Sequence, residues 1–104
     1  MTPTLTAPDP AIFPAAVLAF AAERGVTDYL TPLYDLAKHC FPGADVTVTF
    51  ESDCEEPGLH WIVYGVAIGH WPREDRTAAR RRWGDEFLRL VPPAAREPFA
   101  LGRS

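Results

Sequence analysis

The chain has 104 residues, of which 47% are hydrophobic and 23% charged, and its formal net charge is -4 with the histidines neutral. That balance lies outside the low-hydrophobicity regime of disordered chains, and the length suits one modest core rather than two. No apolar run approaches the about 20 residues that cross a bilayer, since residues 62–68 end at Gly69-His70-Trp71-Pro72, so no membrane span is expected.

Charge is unevenly spread. Up to His60, nine Asp or Glu stand against two basic residues, a balance of -7; from Trp61 onward five acids meet eight arginines, a balance of +3. Such segregation suits a match within one subunit or between two. Met1 to Pro14 lacks the basic patch and apolar core of an export signal, which makes the protein an expected cytoplasmic one. Cys40 and Cys54 do not form the dense framework of a small secreted protein and read as free thiols.

In chain order, residues 1–12 hold three prolines and few groups able to pack, and read as a flexible lead-in before a single domain over residues 13–104. A first helix is predicted from near Pro14, with Val17, Leu18, Ala21 and Ala22 recurring three and four apart and Gly25 as its left-handed stop. A second starts around Thr27 or Thr31, takes Pro32 in its first turn, runs through Leu33, Leu36, Ala37 and Cys40, and ends at Phe41-Pro-Gly43. From Asp45 the period becomes two, with Val46, Val48 and Phe50 alternating against Thr47, Thr49 and Glu51. The polar segment 52–58, with its Pro-Gly pair, then joins this strand to the apolar strand 61–68 as a hairpin with a long acidic loop. A third helix from about Pro72 carries the stripe Ala79, Trp83, Phe87 and Leu90 and stops at Val91-Pro-Pro93. Phe99 to Leu101 suits a short edge strand that Pro98 confines to an edge or a strand start.

The expected fold is α+β, with three helices packed on one face of a small two- or three-stranded antiparallel sheet. Strand 61–68 is apolar on both faces, with Trp61, Val63, Gly65 and Ala67 on one and Ile62, Tyr64, Val66 and Ile68 on the other. Helices on one side cover only one set. A second copy of the chain would cover the other and would satisfy the bare sheet edges; the competing arrangement folds the lead-in or the Phe99 segment over that side.

Chemistry is less legible. His39, Cys40, Cys54 and His60 lie near Asp53, Glu55 and Glu56, but their spacing matches no recurring zinc site, and the acidic loop lacks the glycine and ligand order of a calcium loop. No metal site and no cofactor are expected. His60 with Asp53, and Cys54 as a thiolate assisted by His60, are the catalytic candidates for a small hydrolytic or metal-dependent enzyme. No oxyanion motif or nucleophile elbow accompanies them. His60 and His70, at opposite ends of the apolar strand, lie roughly 30 Å apart and do not form one site.

Trp61, Tyr64 and Trp71 are candidates for a ligand or interface surface, although so small a core also needs aromatic area. Arg76 and Arg80 join them as the centre of an arginine-rich helix face that also includes Arg73. The acidic chain as a whole and the lack of an aromatic ladder argue against nucleic acid as the partner. The resulting expectation is a small soluble interaction or accessory module that self-associates through its sheet as a homodimer, a different protein being the other possible partner.

Overall fold

A computed structural model describes residues 8–56 and 58–103, with no account of the side chain at position 103. Most of the predicted lead-in, residues 1–7, and Pro57 of the loop's Pro-Gly pair lie outside the described residues. The end of that lead-in is tied down: the Asp9 carbonyl accepts from the amides of Ile12 and Phe13, its side chain accepts from the amide of Ala11, and Phe13 is buried.

Helix α1 spans Ala15–Arg24 and ends where Gly25 turns left-handed, at φ 70°. There Gly25 N–H reaches the Ala22 carbonyl and Val26 N–H reaches that of Ala21, so two terminal carbonyls of the helix are satisfied. A single 3-10 turn, Thr27–Tyr29, leads directly into α2, Leu30–Cys40, which buries Leu30, Leu33, Ala37 and Cys40 at helical spacing. Strands β1, Val46–Ser52, and β2, His60–Val66, form the predicted hairpin, paired antiparallel from Val46 opposite Val66 to Ser52 opposite His60. Helix α3, Arg73–Leu90, opens after Pro72 with Glu74 and Asp75 in its first turn, where carboxylates complement the helix dipole.

The last strand, β3 at Phe99–Arg103, lies beside β2, giving a sheet in the order β1-β2-β3. Its direction corrects the expectation of an antiparallel sheet. It runs parallel to β2, with Ile62 opposite Phe99 and Val66 opposite Arg103. Parallel neighbours need a crossover of a dozen or more residues, and α3 supplies it, returning the chain to the end of the sheet from which β2 started. The molecule is therefore α+β with three helices and a three-stranded mixed sheet among the described residues.

All three helices share one face of this sheet. Val48, Ile62, Tyr64, Val66 and Phe99 point to them and are buried. Phe20 of α1 meets Phe50 at 5.3 Å between ring centroids, Trp83 of α3 meets Tyr64 at 5.9 Å, and Phe87 meets Phe99 at 6.3 Å. The Phe99 segment thus extends the sheet and buries Phe99 on the helix side; it does not fold over the opposite face.

Candidate functional site

At the loop end of the hairpin, strand pairing sets Ser52 opposite His60, and Ser52 Oγ lies 2.8 Å from His60 Nδ1. The imidazole is held by aromatic packing, stacked on Phe50 at 5.1 Å and meeting Phe20 edge-on at 6.1 Å. Asp53 serves the loop itself. Its Oδ1 accepts from the amides of Glu55, at 2.8 Å, and Glu56, at 3.4 Å, and its own amide donates to the Leu59 carbonyl. Cys54 is exposed. Of the three catalytic candidates the structure pairs only His60 with a nucleophile-type side chain, and that side chain is Ser52. Among the described residues no three His, Cys, Asp or Glu converge as a metal-binding group.

A second concavity lies between the end of α2 and the start of α3. It is an open groove of about 610 Å³, with Cys40, Pro42, Trp71, Pro72, Ala78 and Ala79 as its apolar lining and Asp75 and Arg82 as its charged members. Trp71 is fixed against Phe41, ring centroids 6.1 Å apart. Burial pushes the Cys40 thiol up from its ordinary range, Arg82 opposes the rise and Glu86 adds to it. A thiol held protonated is a poor nucleophile.

The face of the sheet turned away from the helices carries Trp61, Val63 and Gly65 of β2, Thr47, Thr49 and Glu51 of β1, and Ala100 and Gly102 of β3. Trp61 and Val63 remain half-buried and form its apolar ridge. Beside that ridge Gly65 and Gly102 carry no side chain, and the side chains of Thr47 and Val63 lean over them. A Cβ on Gly102 would come within 2.8 Å of Val63 Cγ1, and one on Gly65 within 3.0 Å of Thr47 Oγ1. Tyr64 belongs to the other side: it is a core residue with no exposure, and its hydroxyl donates to the Leu30 carbonyl at 2.9 Å. Burial raises its pKa far above the usual tyrosine range.

Arg76 and Arg80 lie on α3 with Arg73 and Thr77, around a hollow of about 210 Å³. Arg76 is half-buried, and its Nε is sealed from solvent with no hydrogen-bond partner among the described residues. Sequence reading missed Ser52 as the partner of His60, because alternation assigns each residue a face and leaves the register to the connecting turn. It also missed that Arg76 heads the apolar stripe, three residues before Ala79 and seven before Trp83, a spacing open to inspection. No family model matches the chain, and no curated protein or solved structure matches it either.

Proposed function

We propose that this protein is a small interaction module that pairs with a second copy of itself through the open face of its sheet. The observation that carries the reading is the half-buried Trp61-Val63 ridge on the face of the sheet that the helices leave uncovered. A two-fold axis between two such faces brings the two apolar ridges together, the self-matching contact an isologous dimer requires. Scale limits the strength of the contact. Seven residues at about 3.3 Å each and three strands at about 4.8 Å give a face of roughly 330 Å², under half of the about 800 Å² that each partner buries in a standard interface. The dimer is therefore a weak one, held by a few central residues.

Light scattering over a range of protein concentrations tests this. The mass should rise from one chain to two with increasing concentration, and should respond little to salt because the contact is apolar. Trp61→Ser should weaken the dimer about 10- to 100-fold, the effect of removing a central aromatic anchor. A mass of one chain at every concentration would exclude the reading.

The Ser52–His60 hydrogen bond favours a second reading, a small hydrolytic enzyme at the loop end of the hairpin. Hydrolysis of an activated ester that disappears in both Ser52→Ala and His60→Ala is the outcome this reading requires; equal rates in all three proteins would eliminate it.

A further inference from the structure

The first two turns of α3 contain an arrangement that folding alone does not favour. Arg73, Arg76, Thr77 and Arg80 form a diamond in which each neighbouring pair is three or four residues apart, so their side chains rise from one patch of the helix surface. Like charges at these spacings repel, and cations at a helix N-terminus oppose its dipole. Neither effect is offset by ion pairing, because among the described residues the single salt bridge joins Arg89 to Glu86, at the far end of the helix.

Arg76 sharpens the point. It occupies the stripe position ahead of Ala79 and Trp83, where an apolar residue would complete the packing, and it leaves a buried Nε without an acceptor. A buried donor without a partner destabilises the fold unless a ligand or water supplies the acceptor. Polar groups that break a local rule in this way mark functional positions. Beside this side chain lies a hollow of about 210 Å³ lined by Arg73, Arg76, Thr77 and Arg80, three guanidinium-bearing side chains and one hydroxyl-bearing one. A tetrahedral oxyanion suits that lining, since guanidinium forks match its oxygens and Thr77 can donate to a further one.

The hollow also has a neighbour. A second one of about 480 Å³ shares Arg73 and Thr77 and adds Glu74, Ala78 and Arg81. It has room for the body of a small molecule whose charged end occupies the first, and Glu74 can accept hydrogen bonds from hydroxyl groups on that body. We infer that α3 carries an oxyanion site, formed by Arg73, Arg76, Thr77 and Arg80, that binds the phosphate group of a small phosphate monoester. This site lies on the arginine face of α3 and is independent of pairing through the sheet.

Thermal unfolding in inorganic phosphate, in glycerol phosphate and in sodium chloride at matched ionic strength tests the assignment. Both phosphates should raise Tm above the chloride control, by about 5–10 °C for each tenfold increase in ligand once it exceeds Kd, and glycerol phosphate should act at the lower concentration. Arg76→Met should unfold at a higher temperature than the native chain in phosphate-free buffer and should lose the phosphate response. Arg80→Gln, at an exposed position, should raise the phosphate-free Tm slightly by relieving the repulsion and should reduce the response at least tenfold in concentration. Equal shifts in chloride and phosphate, or a full response in both variants, would overturn the site. An inorganic phosphate response that glycerol phosphate fails to match would overturn the monoester. Tighter binding of duplex DNA with a steep salt dependence would overturn the small ligand in favour of a phosphate backbone.

Discussion

Tyr64 shows how one side chain ties the layers of this molecule together. Its ring packs against Trp83 and Phe99 while its hydroxyl donates to the Leu30 carbonyl, so one residue of the central strand touches α2, α3 and β3. Tyr64→Phe keeps the ring and removes the hydrogen bond, and should destabilise the fold by about 1–2 kcal/mol in urea unfolding. The same residue gives stability a pH dependence of defined sign. Its folded pKa is raised above the unfolded value of about 10, so the folded state holds the proton more tightly. Its contribution is complete below about pH 10 and is lost as pH rises beyond that toward the folded pKa. Urea midpoints measured between pH 8 and 11 should fall more steeply for the native chain than for Tyr64→Phe. Superimposable pH profiles would assign the alkaline loss elsewhere. The alternation of strand 61–68 placed Tyr64 with Ile62 and Val66, which is how it sits; aromatic character alone had grouped it with the ligand or interface candidates Trp61 and Trp71, because residue type says nothing about which face is covered.

At the scale of elements, periodicity and stop signals proved sufficient for the helices. Gly25 ends α1, Phe41 follows α2, and α3 stops ahead of Pro92, as their local chemistry requires. Less visible was the end of α3, where Leu88 and Leu90 are exposed although Leu90 continues the stripe. The Leu88 and Val91 carbonyls there are engaged by Arg96, whose Nη2 and Nε donate to them at 2.8 Å each. A guanidinium at this terminus supplies both hydrogen bonds and a cation that complements the dipole. Arg96→Ala should therefore destabilise the protein by about 1–2 kcal/mol, with faster amide exchange concentrated in the last turn of α3 and the turn that follows. Protection that is unchanged there would show that the cap adds nothing. This contact escapes sequence reading because it depends on the 3-10 turn Pro93–Ala95, which brings Arg96 back beneath the helix.

At the scale of the whole molecule, the class and the one-sided helix layer were legible, whereas the mixed sheet was not. Phe99 to Leu101 has the same apolar character whichever way it runs, and a strand's own residues do not encode its direction. Direction comes from the connection: α3 carries the chain across the sheet, so the following strand enters beside β2 in the same sense. The candidate site was legible to a similar degree. Arg76, Arg80 and His60 were recognised from residue type, but the unpartnered Nε of Arg76 and the Ser52 contact of His60 depend on burial and strand register. The parallel placement of β3 also bears on how the protein is made. On the ribosome β2 emerges 33 residues before Phe99, so at about 5–20 residues per second its outer edge waits about 2–7 s for its neighbour. During that interval the nascent chain holds an apolar hairpin with one side open to other nascent chains, and chaperones have their opportunity there, before the final strand closes the sheet.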